Sequence, residues 1–130
     1  MNQIMNPGLS YANLGHLYAK KNNFEKALEN YEKGLQVRKG DFYIHKLRSE
    51  LRIKKGDLEG AIEDLTVVAN SRQGTPDKHA DIGLLLTLQG KDAEAEKEFA
   101  LYLRMFPDAQ ESLNKKIEEA KKLRSPPPRP

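Results

Sequence analysis

The chain has no cysteine and no tryptophan, and aromatic residues make up only 7% of its 130 positions. Without cysteine there is no disulfide framework, no thiolate metal site and no cysteine nucleophile. No apolar run approaches the roughly 18 residues that suggest a membrane span. Met1 to Pro7 has neither the basic start nor the apolar stretch of a signal peptide. Cytoplasm is therefore the default compartment, unknown if a targeting segment has been removed. Charge of one sign is also scarce. Lys and Arg total 22 against 19 Asp and Glu, a net +3, with a pI near 9.0 and a mean hydropathy of -0.75. The longest basic runs are pairs such as Lys54-Lys55 and Lys115-Lys116, each interleaved with acids, the pattern of a solvated helix face.

Hydrophobic residues are 38% and charged residues 32%. So thin an apolar inventory suits an elongated helical protein with much surface per residue, not a two-layer enzyme.

An internal period is present. Ala27, Ala61 and Ala95 lie 34 residues apart, as do Asn22, Gly56 and Gly90. Gly15, Ser49 and Gly83 repeat a small residue at that spacing. Tyr31, Leu65 and Phe99 repeat a large apolar one, and Leu17, Leu51 and Leu85 a leucine. The units implied are 8–41, 42–75 and 76–109, together 8–109, after an N-terminal extension at 1–7. A capping helix at 108–124 and a Pro-rich disordered tail at 125–130 follow.

Each unit reads as two helices. Tyr11, Leu14, Leu17 and Tyr18 follow helical spacing, Asn22-Asn23 interrupts it, and Phe24, Ala27, Leu28, Tyr31 and Leu35 resume it. Gly56 and Gly90 occupy the same break, where a left-handed residue ends a helix. Thr75-Pro76 has the form of an N-cap followed by proline. Asp108-Ala109-Gln110-Glu111 has the form of a capping box, and Leu113, Ile117, Ala120 and Leu123 then make one apolar stripe. That helix either caps the stack or stands free to dock a partner. Ser125 to Pro130 contains a PxxP pattern, either a plain tail or a ligand for an SH3-type domain.

Tyr11-Ala12-Asn13-Leu14-Gly15-His16-Leu17-Tyr18, with Phe24 and Ala27, resembles the tetratricopeptide repeat, and Gly83, Gly90, Ala95, Phe99 and Pro107 match it in the third unit. The resemblance implies an all-α, right-handed superhelical solenoid of three helix–turn–helix repeats plus a C-terminal capping helix. Gly15, Ser49 and Gly83 then sit where the paired helices cross, near Ala27, Ala61 and Ala95, because larger side chains would force the helices apart.

The second unit departs from the pattern, with His45, Arg48 and Arg52 where the first has Tyr11, Leu14 and Tyr18. An unpaired arginine at a helix interface is costly. Repeats of this family that carry such an arginine resemble this one in having an Asp on the second helix, here Asp64. The expectation is an Arg48–Asp64 pair. The alternative is a one-residue shift that buries Ile44, Leu47 and Leu51 and leaves Arg48 solvated.

No catalytic constellation is recognisable and no cofactor is implied. His16, His45 and His79 fall on successive first helices, outside any metal-ligand spacing. The nine glycines are scattered, so no loop is built to cradle phosphate. Asp92, Glu94, Glu96 and Glu98 alternate at spacing two, which spreads them around a helix.

The resemblance implies instead a non-enzymatic protein-interaction module, its first helices lining a concave groove for a peptide or partner helix. The first unit would contribute Leu9, Ala12, Asn13, His16, Ala19 and Lys20. The second would contribute Tyr43, Lys46, Leu47, Glu50, Ile53 and Lys54, and the third Asp77, Ala80, Asp81, Leu84, Thr87 and Leu88. Affinity would come from Tyr43, Ile53, Leu84 and Leu88, and selectivity from His16, Lys20, Lys46, Lys54 and Asp81. One class of the family clamps the acidic C-terminal tails of heat-shock chaperones with Lys, Asn, Asn, Lys and Arg. This chain has Ala12, His16, Leu47, Asp77 and Asp81 there, so no binding of such tails is expected. Two other uses remain: self-assembly into a homo-oligomer or a fragment of a longer array, and nucleic-acid binding. The second is disfavoured because residues 76–107 carry 4 basic against 6 acidic residues.

Overall fold

The computed structural model describes residues 7–71 and 77–124. Among them the chain is all-helical. The helices are α1 (Pro7–Lys20), α2 (Phe24–Val37), α3 (Phe42–Lys55), α4 (Leu58–Asn70), α5 (Lys78–Leu88), α6 (Asp92–Met105) and α7 (Gln110–Leu123). Consecutive helices pack as pairs, α1 on α2, α3 on α4 and α5 on α6, and each pair packs on the next through α2–α3 and α4–α5. This is a helical repeat solenoid.

The chain reverses at equivalent places for local reasons. Asn22 lies at φ 62, and Gly56 and Gly90 at φ 81 and 79, the left-handed region. There the α1, α3 and α5 hydrogen-bond ladders stop. Asn23 then caps α2 by accepting from the Lys26 N–H, and Asp57 caps α4 by accepting from the Gly60 N–H. The third member of this series is Lys91, which offers no side-chain acceptor to α6.

The small residues mark the tightest crossings. A Cβ on Gly15 would stand 2.6 Å from the Tyr31 ring, and one on Gly83 would run into the Phe99 ring. Ser49 is tolerated at that register because Leu65, not a ring, stands at the position of Tyr31 and Phe99. Its hydroxyl donates to the Lys46 carbonyl at 2.6 Å. Ala27, Ala61 and Ala95 are fully buried. Two core regions result. One gathers Ala12, Ala27, Tyr31, Ile44, Leu47 and Leu51, and the other runs from Ala61 and Leu65 through Ile82, Leu85 and Phe99 to Leu113.

The C-terminal region differs from expectation in two ways. No capping box forms at Asp108–Glu111. Pro107–Ala109 makes a single 3-10 turn, and α7 begins after it without a side-chain cap. Pro107 starts that turn, which places Asp108 inside it and not at the mouth of α7. Leu123 is also not part of the buried stripe: Leu113 and Ala120 are buried, whereas Leu123 is 79% exposed. Helix α7 leans on α5, not along α6. Arg124 ties its end to the α5–α6 corner, donating to Asp92 at 2.7 Å and to the Thr87 carbonyl at 3.3 Å. Thr75-Pro76 and the 125–130 tail lie outside the described residues.

Candidate functional site

The first helices α1, α3 and α5 lie side by side, and two cavities open between them. Between α1 and α3, Tyr31, Leu47 and Leu51 make the floor, and His16, Lys20, Glu50 and Lys54 the rim. This cavity holds about 60 Å³. Between α3 and α5, Leu65, Leu85 and Ser49 underlie about 320 Å³ walled by Ile53, Leu84, Lys46, Lys78 and Asp81. Glu50 borders both, so the two are neighbours along one surface.

This brings together many of the groove residues named from the sequence. His16, Lys20, Glu50 and Lys54 meet at the first cavity, and Lys46, Glu50, Ile53, Asp81 and Leu84 at the second. Asn13 and Asp77 are exposed but border neither. Tyr43 and Leu88 pack against the cores. Ala12 and Thr87, named as groove residues, are buried, the Thr87 hydroxyl donating to the Gly83 carbonyl at 2.9 Å. Ala12 takes the side of α1 turned to α2, and Thr87 bonds one turn back on its own helix, so neither presents a side chain to the surface. Lys78 was missed. It sits 3.4 Å from Asp81, three residues on, a spacing that brings side chains together on a helix. Lys20, Lys46 and Lys54 form no ion pair among the described residues.

Beneath this surface the α3–α4 interface carries charge. Asp64 is 1% exposed. It accepts from Arg48 Nε at 3.1 Å and Nη2 at 2.8 Å, and from Arg52 Nη1 at 2.9 Å. His45 Nδ1 lies 2.7 Å away. The expected Arg48–Asp64 pair is present, and Ile44, Leu47 and Leu51 are buried as well. The solvated Arg48 of the alternative is not found, since Arg48 bonds Asp64, whereas the aliphatic burial that alternative included is found. One unit later the same register holds His79 Nδ1, 2.6 Å from Glu98 Oε2. Tyr31 closes the floor nearby. Burial first, then Glu50 and Tyr43, push its phenol up to about 12.

A third cavity, of about 360 Å³, lies at the other end between α6 and α7. It opens because α7 leans on α5. Its walls are Thr87, Asp92, Glu96, Phe99, Asn114, Ile117, Glu118 and Lys121. Of the groove residues named from the sequence, Thr87 alone is among its walls. Among the described residues no three His, Cys, Asp or Glu side chains stand together as metal ligands. No described helix is long and apolar enough to cross a membrane.

Residues 9–41 match the family described as Tetratricopeptide repeat. The chain is also similar to an uncharacterized protein of Haemophilus influenzae, 28% identical over 86 residues. That alignment covers 66% of this chain and 48% of the relative, so the chain spans about half the length of the curated relative it matches. Repeats of this kind generally serve as protein–protein interaction scaffolds and are typically not enzymes. The first helix pair thus matches the tetratricopeptide repeat, and two further helix pairs follow it on the same 34-residue register.

Proposed function

We infer that this chain is a non-enzymatic interaction module of three repeats, bounded at 8–41, 42–75 and 76–109. It takes a peptide or helix of a protein partner across α1, α3 and α5. The observation that carries this reading is the pair of adjoining cavities sharing Glu50. The larger, at about 320 Å³, lies at the low end of the sizes that receive ligand groups. Its leucine floor and the Ile53 and Leu84 walls suit an apolar side chain, and the lysines around it lend polar selectivity. The acidic C-terminal tails of heat-shock chaperones are not the ligand, because Asp77 and Asp81 stand where such a carboxylate would be held.

Affinity capture with matched variants tests this reading. Ile53→Ser with Leu84→Ser should lose the proteins retained by the wild type, whereas Leu101→Ser on the outside of α6 should retain them. Equal retention by the groove variant would refute the assignment. A micromolar affinity for an acidic C-terminal peptide would refute the exclusion.

A further inference from the structure

Along the two adjoining cavities the acids and the lysines are in different states. Asp81 is already held, its carboxylate 3.4 Å from Lys78. Lys20, Lys46 and Lys54 form no ion pair among the described residues, and neither does Glu50, one turn from Lys46 and one turn from Lys54 on α3. The walls thus carry four lysines, counting Lys78, against the two carboxylates of Glu50 and Asp81. The excess is local. The cavity between α6 and α7 has the opposite one: Asp92, Glu96 and Glu118 against Lys121 and the Arg124 that bonds Asp92.

Resting on the groove assignment, we propose that the segment received across α1, α3 and α5 is acidic and amphipathic, with one bulky apolar side chain and two carboxylate side chains. The apolar side chain enters the larger cavity between Ile53 and Leu84, above Leu65 and Leu85. One carboxylate meets Lys46 at the wall of that cavity. The other meets Lys20 and Lys54, which reach the smaller cavity from α1 and α3. At about 60 Å³ the smaller cavity lies far below the sizes that enclose a drug-sized group and suits a carboxylate head. Two carboxylates also cancel the excess charge, whereas a basic segment would add to it. Lys46 and Lys54 stand roughly 12 Å apart along α3 at 1.5 Å per residue, a span that an extended segment covers in about four residues. The carboxylates are side chains within the segment, so no chain-terminal carboxylate is needed, and the ligand differs in this from the chaperone tails.

Selection from random peptides displayed through their C-termini tests this on the whole chain. The wild type should enrich peptides that carry an apolar residue together with Asp or Glu. A Lys20→Glu, Lys46→Glu, Lys54→Glu chain should enrich apolar peptides with Lys or Arg instead. It should also bind an amide-ended copy of a peptide selected by the wild type about tenfold more weakly. A Lys115→Glu, Lys116→Glu, Lys122→Glu chain, changed only at exposed positions of α7, alters the net charge equally and should behave as the wild type. Enrichment without an acidic bias, a basic bias in the wild type, or equal effects of the two reversals overturns the acidic class. The groove assignment still stands if Ile53→Ser with Leu84→Ser abolishes binding of the selected peptides. Binding indifferent to that pair as well, or no enrichment at all, overturns both.

Discussion

Arg48 and Asp64 meet in a bidentate pair between α3 and α4, with Arg48 Nε 3.1 Å from both carboxylate oxygens. Arg52 holds the same carboxylate from the next turn at 2.9 Å. A buried carboxylate with two arginines repays its desolvation only while every partner stays. Asp64→Ala leaves two part-buried guanidiniums facing each other and should cost about 3–5 kcal/mol. The triple change Arg48→Ile, Arg52→Leu, Asp64→Leu replaces the whole ionic group by apolar side chains, the first two being those found one unit later at Ile82 and Leu86. It should lie within about 1–2 kcal/mol of the wild type. Urea titration of both proteins checks the pair. A mild Asp64→Ala would mean the network contributes little.

The α-helical crossings make a second prediction. Ala61 is fully buried where α4 meets its neighbours. Ala61→Leu should overpack that site and cost on the order of 1–3 kcal/mol. Unchanged thermal stability would contradict the register.

Helix α6 lacks the cap that Asn23 gives α2 and Asp57 gives α4. Lys91→Asp should supply it and stabilise the chain by roughly 0.5–1 kcal/mol, and Asp57→Ala should cost about 1 kcal/mol. Thermal melts of the two variants should therefore move in opposite directions.

Tyr31 gives a pH dependence. Its phenol is raised from the ordinary 10.0 to about 12 by burial, Glu50 and Tyr43. The folded state thus holds this proton more tightly than the unfolded chain. The stability it contributes is complete below the ordinary value and is lost as pH rises through the raised one. Tyr31→Phe should flatten the fall in stability between those two values, measured by denaturant titration at stepped pH. An unchanged slope would assign the alkaline loss to other groups.

Much of this was legible in the sequence. A 34-residue period fixes which residues meet inside a unit, so Gly15 under Tyr31 and the turns at Asn22, Gly56 and Gly90 were foreseeable. The Arg48–Asp64 pair was foreseeable only through the resemblance to repeats that carry such an arginine with an Asp on the second helix, since the other units have Leu14 and Ile82, Asn30 and Glu98 at these places. The second arginine on Asp64 and the His79–Glu98 pair were not, since neither residue type recurs through all three units. The resting place of α7 was also hidden. A single helix has no register partner, and its position depends on Pro107, on Arg124 and on the shape of the α5–α6 corner. The groove was legible as a face of helices but not as two cavities, because their depth depends on how far Ser49 and Leu65 let α3 and α5 approach.

The central claim is that partners bind across α1, α3 and α5. A photoactivatable phenylalanine analogue placed in turn at Leu84, Ile53, Thr66 and Leu101 tests it most directly. The account predicts covalent adducts with partner protein from Leu84 and Ile53 and none from Thr66 or Leu101. Adducts from Thr66 or Leu101 with none from the groove positions would contradict it.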